Sequence, residues 1–480
     1  MTAGPFSWTD RAVRQALALP LDPAVDADLA YTRVATDTRR LEGGELFVAL
    51  TGDRFDAHDF LPDAVAAGAA GLVVARAPAT NPGVPVYRVS DTLAALGRLA
   101  HHARQHVTGT VVGITGSLGK TTVKELLRAA VAQDRSVYAN PGNLNNRVGL
   151  PLSLLDAPLD AEVLLLEMGT NEPGEIAALT AIAEPHVGVV TTVAEVHLEK
   201  LGSRDGVLQE KLALVDGLRS DGRAVLGDEP PELAEAARGR VADVQVAGTS
   251  SRAHGDLRAR DLRPGAGGTY RFSWQGQAVR LQIPGRAAVS NALVALATAR
   301  LLGVPAAAAA AGVGSVQAPA LRGEVRRVGP MTVLADCYNA SPRSVLEAVE
   351  TLNAIPAARR KVAILGSMLE LGEEEEALHR QVLAQVLEAG PDLVVAAGAF
   401  TDSSLSEEGA TGPTLLRLRD PVKEWETLAG TLEAGDAILL KASRGERLER
   451  LLPLLEERFG APSGGSAQAS SGATRNGGEG

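Results

Sequence analysis

Aromatic side chains are scarce here: Phe, Tyr and Trp make up 3% of 480 residues. Grooves for single-stranded nucleic acid stack bases on such rings, so a chain this poor in them is not built as one. Positive charge is also in deficit, with 47 Lys and Arg against 58 Asp and Glu and a net charge of −11. A general polyanion binder needs the opposite balance, although Lys and Arg that converge locally can still hold a small anion. The single cysteine, Cys337, excludes an intramolecular disulfide and suits a reducing compartment. Apolar runs such as 68-GAAGLVVA-75 are far too short to span a bilayer. The opening MTAGPFSWTDRAVRQ has no basic stretch followed by an apolar core, so it does not read as a secretory signal. These absences predict a soluble cytoplasmic protein with no nucleic-acid partner and no membrane insertion.

What is present is the balance of a globular protein, 45% hydrophobic and 22% charged. With few aromatics, Ala, Leu and Val must fill the cores, and a chain this long predicts several domains. Three blocks are visible. The first holds 45-ELFVAL-50, helix-like 61-LPDAVAAGA-69 and 71-GLVVA-75, and closes in the turn-rich 77-APATNPGVP-85. A helical 91-DTLAALGRLAHHARQ-105 leads into the second block. There, strands at 110-TVVGIT-115, 162-EVLLLEM-168 and 186-HVGVVTTV-193 alternate with helices at 120–133 and 206–218. Such alternation implies a parallel α/β sheet with right-handed crossovers. Residues 245–283 alternate polar and apolar positions and predict a small antiparallel insert, followed by an Ala-rich helix at 286–302. The third block carries strands 331-MTVLAD-336, 361-KVAILG-366, 392-DLVVAAG-398 and 436-DAILLKA-442, a second α/β sheet. From Ala461 the composition can bury almost nothing, which predicts a disordered tail over 461–480.

Strand 110–115 runs directly into GITGSLGKTT, residues 113–122. Glycines such as Gly116 and Gly119 let the backbone curl so that N–H groups around Ser117 can point at phosphate oxygens. The helix that follows adds its positive end, with Thr122 in its first turn. Lys120 can reach β- and γ-phosphates, and the Thr121 hydroxyl can ligate Mg²⁺. The strict GxxxxGK[ST] spacing is not met, because Gly113 stands one residue early and position 114 is Ile. By itself the loop implies a nucleoside triphosphate and little more.

Other candidates lie at the ends of neighbouring strands, where ligands of parallel sheets gather. Glu167 ends one strand, and His197 follows another between Glu195 and Glu199. Both are placed to meet the Mg²⁺ held by Thr121, although Mg²⁺ prefers oxygen ligands and His197 also reads as a surface histidine. Spacing alone likewise allows Lys211 to be an ordinary surface lysine. The segment 143-NLNNRVGLPLSLL-155 offers Asn145 and Asn146 to a polar substrate, or is simply an Asn-rich turn. The run Glu373–Glu376 reads as a solvated helix start. Cys337 reads as a small residue at a strand end, since no base is paired with it in sequence.

Taken in order, these segments resemble the Mur ligases of bacterial cell-wall synthesis. The resemblance runs over residues 34–447 and rests on 36-TDTR-39, 45-ELFVALTGDRFDAHDF-60, 115-TGSLGKTTVKE-125, 143-NLNNRVGLPL-152 and 167-EMGTNEPGEI-176. It continues through 197-HLEKLGS-203, 336-DCYNASP-342, 365-LGSMLELG-372 with His379, and 436-DAILLKASR-444. The GSxGKTTxKE, NxNNxxGxPL and YNAxP forms are similar to the branch that adds the last peptide.

The resemblance implies an α/β protein of three domains. These are a small N-terminal UDP-substrate-binding unit (1–88), a central ATP-binding unit with a P-loop-type, mostly parallel sheet (89–318), and a C-terminal ligase unit with a dinucleotide-fold-like sheet (319–460). It implies an ATP-dependent ligase that joins D-alanyl-D-alanine to a UDP-N-acetylmuramoyl-tripeptide through an acyl phosphate, acting as a monomer with two Mg²⁺ ions. By resemblance, Lys120, Thr121, Glu167 and His197 match phosphate and metal positions, and Lys211 matches a lysine that CO₂ carbamylates into a further oxygen ligand. Asp37, Thr38 and Arg39 match a uridine-binding segment. Arg322, Asp336 and Asn339 match positions that close over ATP, while Lys441, Ser443 and Arg444 match a segment facing the substrate.

The chain departs from the family pattern in several places. The nucleotide-contacting GxHNxxNA reads 285-GRAAVSNA-292, so Ala287 and Ala288 replace His and Asn while Asn291 remains. Thr192, Ala335, Ser341 and Ser367 stand where Asn, Asp, Asn and Asp are usual. An active enzyme with an altered adenine pocket is the expectation. Another Mur ligase, or a relative like folylpolyglutamate synthase, is the neighbouring alternative, and a non-catalytic ATP-binding protein the more distant one.

Overall fold

A computed structural model describes residues 4–52, 55–355, 359–402 and 414–460. The tail expected over 461–480 lies outside these residues. Among the described residues no helix is long and apolar enough to cross a membrane.

Four short parallel strands, Val34–Ala35, Leu46–Val48, Gly71–Val74 and Val86–Arg88, form the N-terminal sheet in chain order. A two-residue antiparallel ribbon, Trp8–Thr9 with Ala30–Tyr31, precedes it. It leads into the helix Asp10–Leu17, whose first turn is capped by the Thr9 hydroxyl.

The central sheet has six parallel strands in the order Asp243–Ala247, Arg223–Gly227, Val187–Val190, Thr110–Thr115, Val163–Glu167, Val137–Ala139. Its strands read as continuous apolar runs because helices cover both faces. Val112, Ile114 and Leu165 pack against the helices Lys120–Val131 and Arg286–Leu301. Val111, Leu164 and Leu166 pack on the other side, against Thr92–Arg104 and Glu175–Ala183. After Thr110–Thr115 the chain first builds outward on one side, then crosses to Val187–Val190 on the other. That reversal opens a crevice at the carboxyl ends of the middle strands, which is where such sheets bind ligands.

The antiparallel insert is present but starts later than the alternation at 245 implied. It consists of Arg260–Pro264, Tyr270–Trp274 and Gln277–Arg280. Asp243–Ala247 instead pairs in parallel with Arg223–Gly227. As the edge strand of the central sheet it leaves part of its length in solvent, and that produces the mixed pattern.

The C-terminal sheet also has six strands, in the order Glu324–Val328, Met331–Asp336, Ala437–Lys441, Lys361–Leu365, Leu393–Ala397, Thr414–Leu418. Its first pair is a hairpin, so this sheet is mixed, and the remaining pairs are parallel. The edge strand Glu324–Val328, EVRRV, is too polar to be seen from its pattern.

Candidate active site

The carboxyl ends of the central and C-terminal sheets face one cleft of about 550 Å³. Gathered on it are Ser117, Gly119, Lys120, Thr121, Thr122, Asn145, Asn146, Glu167, His197 and Asn291 from the central unit. Arg322, Asp336, Asn339, Lys441 and Arg444 line it from the C-terminal side. A second cavity of about 520 Å³ shares Thr121, Asn143, Arg322 and Tyr338 with it and backs onto Arg128.

The loop between Thr115 and Lys120 is tightly built. Gly116 and Gly119 have φ of 145° and 81°, and a Cβ on them would lie 2.0 Å from the Thr191 hydroxyl oxygen and 2.3 Å from Asn291 Oδ1. Only glycine fits both the conformation and the space. The first bond of the following helix runs from Val123 N–H to Gly119 O (2.8 Å). The N–H groups of Lys120, Thr121 and Thr122 are therefore left at the helix start, where an anion is favoured. Ser117 borders the cleft, but its polar groups are committed to the neighbouring strand end. Its N–H donates to Thr192 O (2.8 Å), and its hydroxyl exchanges bonds with Ala194 O (3.1 Å) and Ala194 N–H (2.9 Å). It anchors the loop to the neighbouring strand end instead of presenting a donor to the cleft.

Glu167 is the hub of the central half. Its Oε1 accepts from the Thr121 hydroxyl (3.1 Å) and Asn145 Nδ2 (2.7 Å). Its Oε2 is buried without a hydrogen-bond partner and lies 3.4 Å from Lys124 Nζ. Lys124 is wholly buried, donating to Asn140 O (2.8 Å) and Gly142 O (3.0 Å). Asn140 completes the hub: its Oδ1 accepts from Glu167 N–H (2.8 Å) and its Nδ2 donates to Glu167 O (3.1 Å). Neither Lys124 nor Asn140 was singled out from the sequence. A signal was present for Lys124, which occupies the buried stripe of its helix with Val123, Leu127 and Val131, where a lysine is out of place.

Two further lysines stand near this hub. Lys120 folds back on its own loop, with Nζ donating to Gly116 O (2.7 Å) and Ser117 O (3.2 Å). Burial pushes its ammonium down to about 8, against the pull of Glu167. Lys211, on the helix Arg204–Asp216, does not line the cleft but is 1% exposed. Burial, then the nearby charge of Lys120, lowers it well below the ordinary lysine value. The surface-lysine alternative for Lys211 is thus excluded. The adjacent Glu210 accepts from Thr170 Oγ1 (3.1 Å), Ile176 N–H (2.8 Å) and Gly174 N–H (2.7 Å), which ties this helix to the 170–176 loop.

On the C-terminal side, Asp336 and Lys441 end adjacent strands in register and pair at 2.8 Å. Lys441 also donates to Asn339 O (2.7 Å). The Arg322 guanidinium lies 3.8 Å above the Tyr338 ring, a cation–π contact. Arg444 pairs with Glu449 at 2.9 Å. Ser443 does not line the cleft; its hydroxyl accepts from Leu369 N–H (3.0 Å) and approaches Ala340 O (3.5 Å). His197 joins the two halves, since its Nδ1 hydrogen-bonds Glu370 of the C-terminal unit. That pairing holds the Glu370 carboxyl below its usual range.

Asp37, Thr38 and Arg39 lie apart from the cleft, on the N-terminal unit. Asp37 caps the turn Thr38–Arg40 and pairs with Arg39 through Nε and Nη2, both at 2.8 Å. Asn146 turns the chain into the helix Gly149–Leu155, its Oδ1 accepting from Gly149 N–H (2.8 Å) and Val148 N–H (3.2 Å). Cys337 is buried, with its thiol pushed up to about 12, which fits a packing residue and not a nucleophile.

The family described as Mur ligase family, catalytic domain, matches residues 30–104; the Mur ligase middle domain matches 114–299; and Mur ligase, glutamate ligase domain, matches 321–444. The UDP-N-acetylmuramoyl-tripeptide–D-alanyl-D-alanine ligase of Bacillus subtilis is 35% identical over 436 residues, covering 88% of this chain and 93% of that protein. Among solved structures, MurF from Acinetobacter baumannii superposes with a TM-score of 0.84 at 29% identity, covering 94% of this chain and 99% of that one. The MurF ligase from Thermotoga maritima in complex with ADP gives 0.79 at 30% identity, with 89% and 97% covered.

Proposed function

We propose that this chain, which belongs to the Mur ligase family, spends ATP to join D-alanyl-D-alanine to a UDP-N-acetylmuramoyl-tripeptide in peptidoglycan precursor synthesis. The observation that carries the reading is the cleft, where a glycine-curled phosphate loop with Lys120 faces Arg322 and Lys441 across the space between two sheets. The full-length relatives named for this reaction support the choice of substrates.

The tripeptide's terminal carboxylate attacks the γ-phosphorus; the bond to the β–γ bridging oxygen breaks, and ADP leaves. The free amine of the dipeptide then attacks the acyl phosphate's carbonyl carbon. Phosphate leaves from the tetrahedral adduct, and the nitrogen gives up a proton as the amide forms. Two anions meet in the first step, so neutralising charge is the dominant requirement. The free N–H groups at the helix start and the Lys120 ammonium meet the phosphates, and Arg322 approaches from the C-terminal unit. Asp336, Asn339 and Asn291 border the nucleotide, with Ala287 and Ala288 giving the base an apolar wall. Lys441 and Arg444 face the peptide end, and Asn145 orients Glu167. Asp37, Thr38 and Arg39 are assigned to the uridine end of the substrate, on the separate N-terminal unit.

The residues fit Mg²⁺. The Thr121 hydroxyl and the Glu167 carboxylate, with one buried oxygen lacking a hydrogen-bond partner, are the hard oxygen donors that Mg²⁺ takes beside substrate phosphates. Bound there, the ion would neutralise phosphate charge and polarise the γ-phosphoryl group. Among the described residues no group of three or more His, Cys, Asp or Glu is close enough to hold a metal. The second ion that the resemblance implies would take an oxygen from Lys211 once it is carbamylated. Its lowered basicity favours the neutral amine that reacts with CO₂ to form a carbamate.

Phosphate release measured with UDP-N-acetylmuramoyl-tripeptide tests the reading. Sustained release is expected only when ATP, the tripeptide substrate and D-alanyl-D-alanine are all present. Release with a single amino acid but not the dipeptide would move the chain to another branch of the family. Binding of ATP without release under any acceptor would make it a non-catalytic relative.

A further inference from the structure

We infer that Glu370 is a positioning residue of this ligase: carried by the C-terminal unit, it holds the His197 imidazole of the central unit, so that seating of one unit on the other orients a ring that lines the cleft. The inference rests on the reading of the cleft as the ligase site.

His197 and Glu370 are 173 residues apart, line the same cleft and meet through His197 Nδ1. Both have left-handed backbones, with φ of 54° and 67°, in a set of eight such non-glycine residues among those described. Side chains adopt that conformation only where the surroundings over-determine it, and it collects at functional sites. The surroundings of Glu370 do so. Gly366 N–H donates to Lys441 O (2.8 Å) and Ser443 N–H to Ser367 O (3.0 Å). Met368 N–H donates to His379 Nε2 (2.9 Å), and the His379 ring is itself fixed by its Nδ1 on Glu375 O (2.7 Å). Leu369 N–H donates to the Ser443 hydroxyl (3.0 Å). Every residue from 366 to 369 is thereby tied down, and Glu370 is delivered at a set place.

The receiving side is equally built. His197 O accepts from Lys200 N–H (3.2 Å) and Leu201 N–H (2.9 Å), so the histidine opens the helix Leu198–Leu201. Glu199 N–H reaches Glu370 O (3.4 Å). A Cβ on Gly372, which has φ of 64°, would come within 3.1 Å of Glu199 Cα, so the two loops touch backbone to backbone. A second pair, Arg343 with Glu229 at 2.5 Å, spans the same seam.

A bland reading is that this is one more surface ion pair. The Glu370 side chain is 54% exposed and that of His197 17%, and pairs so open contribute little to stability. Two left-handed residues are a large outlay for a weak pair. What the geometry does secure is chemistry: a carboxylate on Nδ1 keeps the proton there and leaves Nε2 as the nitrogen available to the cleft. Withdrawal of the C-terminal unit removes Glu370 and releases that preference.

The test uses the full-length enzyme labelled with ¹⁵N-histidine, with His197 assigned from the spectrum of H197N. Long-range proton–nitrogen spectra are expected to show His197 protonated at Nδ1. In E370A, and in the shape-preserving E370Q, whose amide can either accept or donate, that preference is expected to be lost. Phosphate release is expected to fall in kcat by roughly 10- to 100-fold, with KM values within about threefold and partial recovery in E370D. An unchanged His197 tautomer in both variants overturns the inference, and so does a lost preference with unchanged kcat. If the unaltered enzyme releases no phosphate with its three substrates, the ligase reading has failed instead.

Discussion

The two halves of the cleft are made differently. The central half is finished in advance: Glu167, Lys124 and Asn140 are buried together, and the partly buried Thr121 and Asn145 hydrogen-bond one Glu167 oxygen while the other has no hydrogen-bond partner. The C-terminal half is conditional. Its groups come from strand ends and loops, and its links to the central half are half-exposed pairs, His197–Glu370 and Arg343–Glu229. Buried networks are expensive to disturb, while exposed pairs form and break at little cost. On the proposed reading, phosphate handling belongs to the rigid half and substrate-dependent closure to the other.

That contrast can be broken most sharply at Lys120. Lys120→Ala removes the only side-chain ammonium on the loop itself and is expected to lower phosphate release by about 10²- to 10³-fold. A loss under tenfold would mean that the preformed half does not carry the chemistry. At Lys124 the expected readout is stability. Lys124→Met leaves the 1%-exposed Glu167 carboxylate buried without its cation, which costs about 3–5 kcal/mol when one partner of a buried pair is removed. Thermal melting should show a large fall, and Glu167→Gln in the same chain should recover much of it because no charge is then left uncompensated. A double variant no more stable than Lys124→Met would show that the pair is not the source.

Proton linkage sharpens the comparison further. Lys120 sits at about 8 in the unliganded protein, below its ordinary 10.5. A lysine depressed on folding weakens the fold while charged, so this penalty is full below pH 8 and fades as pH rises toward 10.5. Polyphosphate favours the ammonium. Calorimetry of ATP binding in buffers of different ionisation heat should therefore show roughly half a proton taken up near pH 8, and almost none at pH 6.5. Uptake that does not vary with pH would exclude Lys120 as the responsible group. The smallest effect belongs to the conditional half. Ser443→Ala strips the acceptor from Leu369 N–H and should lower stability by about 1–2 kcal/mol, while ATP binding is unchanged.

Which residues were legible follows from how far apart their determinants lie. Strand Thr110–Thr115 and the helix starting at Lys120 stand where the pattern put them, because a strand, a glycine turn and a helix start are local. The loop's pattern places N–H groups around Ser117 toward phosphate; that the Ser117 hydroxyl is turned to residue 194 is a direction only the neighbouring strand dictates. Ser443, which resemblance places in a substrate-facing segment, has its hydroxyl on Leu369 N–H, where it braces the 366–370 loop. Lys124 carried a signal, a cation on an apolar stripe, but its partner Glu167 is 43 positions away and could not be inferred from the helix.

By itself, then, the sequence determined the alternation of apolar strands and helices, the phosphate loop and a set of candidate carboxylates and lysines, since backbone conformation and burial period are short-range properties. Tertiary structure decided who meets whom. The register that sets Asp336 beside Lys441, the burial that lowers Lys211 and the seam where Glu370 meets His197 all depend on elements packed from distant parts of the chain. Charge interactions and desolvation act through space over a few ångströms, and spacing along the chain does not encode them.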